Sequence, residues 1–391
     1  MPVRSGRRLV ALALPPGGEL AAAIEAAWAA GDAVLPIDPS LPADARRRLE
    51  AELRPDRPVD DGVALVVATS GSTGVPKGVE LSTAALEASA RATIDRLGLT
   101  ADDVFLSCLP WHHIAGLQVW LRARMLGAEL RVQPRFHPDT LPGATVTSLV
   151  PTQLRRLLDA GADLTGFRAI LLGGAAPPPG LVERARSAGA PVVTTYGMTE
   201  TCGGCVYDGK PLDGVDVRVD GEERIWLRGP MVTSGYRLRP DLTAAALVDG
   251  WLRTSDRGRL RADGTLEVLG RLDDVVVTGG ENVDPAAVAA ALAAHPAVDD
   301  AVVVGVPDEE WGQAVAAVVV LAAGTDLSVA DARAWCADRL PAAALPRLVV
   351  TVAALPMLAS GKPDREAVRR IAYTAAAGSA RSRQSAPPSV R

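Results

Sequence analysis

The chain has 391 residues, 48% hydrophobic and 22% charged, and 41 basic against 46 acidic side chains give a formal net charge of −5. This composition excludes wholesale disorder and the basic profile of a dedicated nucleic-acid binder. The length suits one large domain and a smaller one. Aromatic residues are only 4%, so the core is expected to rest on Ala, Val and Leu. Mean hydropathy is positive, +0.15, yet the apolar stretch 314–323 falls short of the about 20 residues a spanning helix needs. The basic start ending at Arg8 is followed by Gly17, Gly18 and Glu19 before a signal-peptide core can develop. The expectation is a soluble cytoplasmic protein without membrane insertion.

In chain order, the pattern predicts a helix over 19–30, a short strand over 33–37 and a charged amphipathic helix over 42–53. Residues 64–69 form an apolar run of the kind buried on both faces of a parallel sheet. It leads into Thr69-Ser70-Gly71-Ser72-Thr73-Gly74-Val75-Pro76-Lys77-Gly78, with a helical pattern after it over 83–97. Two further strand–helix units follow, 146–150 with 153–158 and 169–172 with 181–188. This alternation argues for an α/β fold with a mainly parallel sheet. Beyond Thr201 the strands at 215–219, 224–227, 258–261 and 266–269 read as a β-rich subdomain of hairpins, with Asp263-Gly264 as a turn. Past residue 274, a helix (285–294), two strands (298–306 and 314–321) and a helix (329–340) make a small α+β module. The expected organisation is an N-terminal domain 1–270, a hinge 271–274, a small mobile C-terminal domain 275–374, and a disordered tail 375–391 rich in Ala, Ser, Pro and Arg.

Four cysteines, Cys108, Cys202, Cys205 and Cys336, are too sparse for a disulfide scaffold. Cys202-Gly203-Gly204-Cys205 has C-x-x-C spacing, but no second pair completes a zinc site, and the histidines are limited to His112, His113, His137 and His295. The glycines around this pair suggest a loop with two small packed thiols.

The segment 69–78 is the strongest chemical feature. Its glycines let backbone approach a ligand, its hydroxyls donate hydrogen bonds and Lys77 adds a cation, a combination suited to a triphosphate. It lacks the Gly-Lys-Ser/Thr triplet of a Walker A loop. In these residues the chain resembles the adenylate-forming superfamily of acyl-CoA synthetases, luciferases and nonribosomal-peptide adenylation domains. Tyr196-Gly197-Met198-Thr199-Glu200, Thr254-Ser255-Asp256, Gly270-Arg271-Leu272-Asp273-Asp274, Thr278-Gly279-Gly280-Glu281-Asn282 and Ser360-Gly361-Lys362 look like that family's other signatures, in its order.

The resemblance implies an ATP-, Mg²⁺- and coenzyme-A-dependent ligase that makes an acyl-adenylate and then a thioester. It implies that Thr69, Ser70, Gly71, Ser72, Thr73, Gly74 and Lys77 cradle phosphates, and that Tyr196 stacks on adenine against Gly173, Gly174 and Ala175, with Gly197 alongside. Thr199 would bond the α-phosphate, Glu200 hold Mg²⁺, Asp256 accept from the ribose hydroxyls and Arg271 support ribose and phosphate. Lys362 would neutralise charge between carboxylate and α-phosphate, a contact of about 3–4 kcal/mol on the scale of preorganised donors. Asp273 matches the hinge, and the loop at Gly280 the thiol side. In Leu109-Pro110-Trp111-His112-His113-Ile114-Ala115-Gly116, His113 matches the residue that gates or lines the acyl site.

The short N-terminal region and the segments 109–116 and 196–209 also look like o-succinylbenzoate–CoA ligases of menaquinone biosynthesis. Such a substrate keeps one carboxylate unreacted, which needs a buried donor; Arg122, Arg124 and the amides near Gly203-Gly204 are the candidates. Another aryl or fatty acid, or a carrier-protein thiol as acceptor, stays open at this point. Expected partners are the small-molecule acid, ATP and coenzyme A, without nucleic acid, and the expected assembly is a homodimer.

Overall fold

The computed structural model describes residues 7–70, 76–134, 136–138, 141, 143–358 and 363–384, with side chains omitted at Ser70 and 378–384. The chain divides into two compact units. One comprises Met1–Ala176, Leu181–Thr254 and Arg259–Glu267, the other Pro177–Gly180, Ser255–Gly258 and Val268–Arg391.

The first unit carries two large sheets. One orders Leu9–Leu12, Ala33–Pro36, Val63–Ser70, Pro76–Ser82 and Gly235–Tyr236, its first three strands parallel and the rest antiparallel. The other has seven strands, Lys210–Pro211, Gly203–Tyr207, Val192–Met198, Ala169–Leu172, Val146–Leu149, Val104–Ser107 and Glu129–Val132. From Val192–Met198 to Glu129–Val132 the neighbours are parallel, and the two strands at the opposite edge are antiparallel. Helices Gly18–Ala29, Ala43–Leu53, Thr83–Leu97, Pro151–Asp159 and Leu181–Ser187 fall where the periodicity predicts them. Ser82 caps Thr83–Leu97 by accepting from the Ala85 N–H, and Gly98 ends that helix in the left-handed conformation. The β-rich region is also present, with antiparallel Asp216–Val219 and Arg224–Arg228.

Among the elements that the sequence pattern does not reveal, two bear on the site. Pro76–Ser82 is a strand, where the sequence suggests only a loop before the next helix; it pairs antiparallel with Val63–Ser70. Helix Ile114–Leu126 has no polar stripe to reveal it, because Ile114, Leu117, Gln118, Val119, Trp120, Leu121, Arg122 and Ala123 are all buried. A helix so covered, with only Ala115 and Arg124 exposed, loses the 3.6-residue alternation that makes amphipathic helices visible. Its Trp120 contacts Trp111 and Trp28 at ring-centroid distances of 5.6 and 5.7 Å, anchoring the core between the helices. Each large apolar side chain so buried contributes about 1.5–3 kcal/mol.

The second unit is built on Val298–Asp308 paired antiparallel with Gly312–Leu321, flanked by helices Pro285–Ala293 and Val329–Ala337. Its final helix runs Arg365–Gln384, which corrects the expectation of a disordered tail from 375. Ala375, Ala376 and Ala377 carry the helix onward because alanine has the highest helix propensity. Residues 385–391 lie outside the described chain. Among the described residues, no helix is long and apolar enough to cross a membrane.

Candidate active site

The glycine-rich loop joins two strands of one antiparallel pair. Thr69 is paired with Lys77 and Ser70 with Pro76, so 71–75 is the connection between them. The Thr69 hydroxyl donates to the Lys77 carbonyl at 3.4 Å. Gly71, Ser72, Thr73 and Gly74 lie outside the described residues, as does Lys362 with its neighbours Ser360 and Gly361.

The sequence signature 196–200 sits at the end of Val192–Met198. A 3-10 turn, Thr199–Thr201, then reverses the chain into Gly203–Tyr207. The C-x-x-C segment is therefore a turn into a strand, and not a loop throughout. Thr201 locks the reversal: its hydroxyl accepts from the Met198 N–H at 3.0 Å and donates to the Gly203 carbonyl at 2.7 Å. Gly197 faces Gly204 across the pair. A Cβ there would lie 2.0 Å from the Gly203 oxygen and 2.7 Å from the Gly204 Cα, so the site requires glycine. Gly173, Gly174 and Ala175 follow Ala169–Leu172, whose Leu172 is paired in parallel with Thr194. They follow the carboxyl end of a parallel strand, where ligands bind in open α/β sheets. Gly173 packs so closely that a Cβ would meet the Thr195 hydroxyl at 2.2 Å.

Glu200 is held twice. The Thr233 N–H donates to its carbonyl at 2.8 Å, and the Tyr236 hydroxyl donates to its carboxylate at 2.8 Å. The Lys77 ammonium lies 5.6 Å from the centre of the Tyr236 ring. Tyr236 thus connects Lys77 with Glu200. No sequence spacing singles it out, because it belongs to the two-residue strand Gly235–Tyr236 that meets Val79 and Glu80 only in the folded sheet. The next residue, Arg237, is buried and donates to the carbonyls of Leu53, Arg54, Arg57 and Pro58 and to Glu80. Its own N–H donates to the Gly78 carbonyl at 2.8 Å, bracing the strand that leaves the loop.

His113 is the N-cap of Ile114–Leu126, and its ring contacts that of His112 at 4.4 Å. His112 Nε2 lies 3.8 Å from Asp38. Burial lowers the His112 pKa against the pull of Asp38. Burial also acts to raise that of Asp38, but hydrogen bonds from Ser40 and the two histidines outweigh it and hold the carboxyl below its usual range.

Of the two candidate arginines, Arg124 pairs with Glu25 at 2.7 Å on the surface. Arg122 is 5% exposed. Its Nε donates to the Gln118 carbonyl at 2.8 Å, and no carboxylate is paired to it among the described residues. Burial lowers its pKa, opposed only by Tyr207. Gln118, one turn earlier on the same helix, lies under the second signature: a Cβ on Gly203 would be 3.9 Å from its Cγ.

Cys202 and Cys205 are fully buried, and burial drives both thiols upward, Cys205 to about 12. Both are inert packing groups here. Among the described residues no group of three or more His, Cys, Asp or Glu could hold a metal. A lone carboxylate such as Glu200 does suit Mg²⁺ delivered with nucleotide phosphates, because that ion takes one or two protein carboxylates and fills its shell with phosphate and water.

In the second unit, Arg271 contacts Asp256 at 3.3 Å and Asp273 at 2.9 Å. Arg365 pairs with Asp274 at 3.1 Å. Burial acts to lower the Arg271 pKa, but Asp256, Asp273 and Asp274 raise it on balance. Gly279 and Gly280 form the two-residue turn between Val276–Thr278 and Glu281–Val283, both at positive φ.

An AMP-binding enzyme domain matches residues 47–237, and an AMP-binding enzyme C-terminal domain matches 287–362. A protein described as probable 2-succinylbenzoate–CoA ligase in Mycobacterium tuberculosis is 44% identical over 357 residues, 86% of this chain and 92% of that one. Among solved structures, o-succinylbenzoate CoA synthetase from Bacillus subtilis with its acyl-adenylate intermediate is similar at a TM-score of 0.84 and 27% identity, covering 94% of this chain and 89% of that one. The same Bacillus subtilis enzyme with ATP and magnesium gives a TM-score of 0.83 at 27% identity, over 93% and 89%.

Proposed function

Since this chain belongs to the AMP-binding enzyme family, we propose that it is an AMP-forming acid–CoA ligase that converts o-succinylbenzoate into its coenzyme A thioester. The acid attacks the α-phosphorus of ATP, pyrophosphate leaves, and the mixed anhydride then passes its acyl group to the thiol of coenzyme A with release of AMP.

In this reading the loop from Thr69 to Lys77 holds the phosphates and Tyr196 stacks on adenine beside Gly173, Gly174 and Ala175. Thr199 bonds the α-phosphate, while Asp256 and Arg271 serve the ribose. Glu200, oriented by Tyr236, holds Mg²⁺, which offsets phosphate charge when bound. Lys362 neutralises the repulsion between carboxylate and phosphate in the first half-reaction. Asp273 is the pivot before the second, in which the turn at Gly280 serves the thiol. His113 lines the acid.

The observation that favours a dicarboxylate is Arg122. A buried guanidinium without a carboxylate is costly, and an anionic ligand repays that cost. Arg124, engaged with Glu25 at the surface, is not the second-carboxylate residue in this proposal. The same reading makes the chain a cytoplasmic enzyme. Light scattering tests the homodimer, since one chain of 40.5 kDa and two differ clearly in mass.

The test is pyrophosphate release with o-succinylbenzoate beside benzoate and a medium-chain fatty acid. Turnover confined to o-succinylbenzoate supports the proposal, and preference for either monocarboxylate refutes it. Thioester synthesis left intact by Lys362→Ala would refute the role given to that lysine.

A further inference from the structure

Arg365 opens the final helix, Arg365–Gln384, where a cation meets the positive end of the helix dipole. A side chain so placed needs anionic or carbonyl partners from elsewhere, and Arg365 has both. Its Nε lies 3.1 Å from the Asp274 carboxylate, and its Nη2 donates to the Val303 carbonyl at 3.1 Å. Asp274 closes the short turn Leu272–Asp274, and its side chain is 15% exposed. Val303 lies in the middle of the long strand Val298–Asp308. The helix does not depend on this pair for its seat. Val368 and Ala372 are fully buried in one cluster with Val302, Val304 and Leu355, and Asp364 caps the helix by accepting from the Ala367 N–H at 3.0 Å.

The loop that carries Lys362 ends where this helix begins. Its two arms are joined at the base: Met357 and Pro363 form an antiparallel bridge, and the Asp364 N–H donates to the Pro356 carbonyl at 2.8 Å. Residues 359–362 lie between these arms, outside the described chain. Arg365 thus ties the base of the loop to Asp274. Asp273, one residue earlier, is bonded elsewhere. Its carboxylate accepts from Arg271 at 2.9 Å, and Arg271 reaches Asp256 at 3.3 Å. Two consecutive aspartates are therefore anchored to different partners, the first to residues of the nucleotide signatures and the second to the lysine loop. All of these residues belong to the second unit.

We infer that Arg365 is a positioning residue: held by Asp274 and the Val303 carbonyl, it fixes the base of the lysine loop to the residue just past the pivot, so that Lys362 turns with the hinge as one piece. This rests on the roles proposed above for Lys362 and Asp273. A lysine on a loosened base spends less time at the reacting atoms, and a misplacement of about 1 Å costs on the order of 100-fold in rate.

Pyrophosphate release with o-succinylbenzoate reads the first half-reaction. Thioester formation from synthetic o-succinylbenzoyl-adenylate and coenzyme A reads the second. Arg365→Met is expected to lower kcat of the first about 10- to 100-fold, with KM for ATP and the whole second half-reaction nearly unchanged. Arg365→Lys, which keeps a cation beside Asp274, should recover part of the loss. Asp274→Asn should cost less when added to Arg365→Met than it does alone, because both remove the same contact. In a Lys362→Ala background, Arg365→Met should cost nothing further. Equal losses in both half-reactions, or a further loss in that background, would overturn the inference in favour of a merely structural role while leaving the role of Lys362 standing. If Lys362→Ala alone leaves pyrophosphate release intact, the role of Lys362 fails, and this inference with it.

Discussion

Replacing Arg237 with methionine tests whether the loop-bearing sheet depends on one buried cation. The arginine side chain is 1% exposed and its partner Glu80 is 13% exposed, with Nη1 to Oε1 at 3.4 Å. The same guanidinium serves Arg54 and Arg57 carbonyls at 2.7 and 2.6 Å and Pro58 at 3.2 Å, with Leu53 as a further acceptor. Methionine fills much of the volume but leaves Glu80 charged, buried and alone, a change that costs about 3–5 kcal/mol. Against a total stability of about 5–15 kcal/mol, that is a large fraction. The pH dependence follows from Glu80. Burial raises its pKa above 4.5 even with Arg237 opposing. An acid whose folded value is raised favours folding below its unfolded value, and loses that contribution as pH rises through the folded value. Removing Arg237 removes the opposing charge and moves the folded value higher still. The deficit should therefore be larger at pH 7 than near pH 5, where Glu80 can take up a proton. Urea unfolding followed by tryptophan fluorescence measures both. A loss below about 1 kcal/mol, or a deficit equal at the two pH values, would refute this reasoning.

Gly197→Ala forces a Cβ against the Gly203 backbone, and a crowded core substitution costs about 1–3 kcal/mol or more. It should lower the melting temperature and weaken ATP binding in isothermal titration together; normal ATP binding would contradict the close approach described. Tyr236→Phe deletes the 2.8 Å bond to Glu200 and should raise the Mg²⁺ concentration needed for nucleotide binding about tenfold, with the fold unchanged by circular dichroism. An unaltered Mg²⁺ titration would remove Tyr236 from the site. The thiols of Cys108, at about 11, and of Cys202 and Cys205 should resist a disulfide reagent at pH 8 in the native protein and react after denaturation. Rapid native-state labelling of any of the three would show that the burial assigned here is wrong.

Local periodicity and local chemistry carried a great deal of this protein. The helix 83–97 has its cap serine and its terminal glycine in the sequence itself, so its bounds are legible. The signatures around Thr69, Tyr196 and Asp256 are legible for the same reason, since each packs its chemistry into a few consecutive residues. The strand–helix alternation then implies the mainly parallel sheet. Helix Ile114–Leu126 was not legible, because burial of most of its surface erases the stripe that marks a helix. Nor was the strand Pro76–Ser82, whose character comes from pairing with residues of Val63–Ser70. The partners of the signatures were equally hidden. Tyr236 meets Glu200 across 36 positions, Tyr207 meets Thr93 across 114 and Arg237 meets Leu53 across 184. Whether Arg122 or Arg124 is the buried cation also could not be read from two residues a step apart on one helix; the packing around that helix decides it. Patterns within a turn or two reflect the backbone's own repeat, so the linear chain contains them. Burial, counter-ion choice and hydrogen-bond direction depend on which distant surfaces meet, and only the folded chain brings those together.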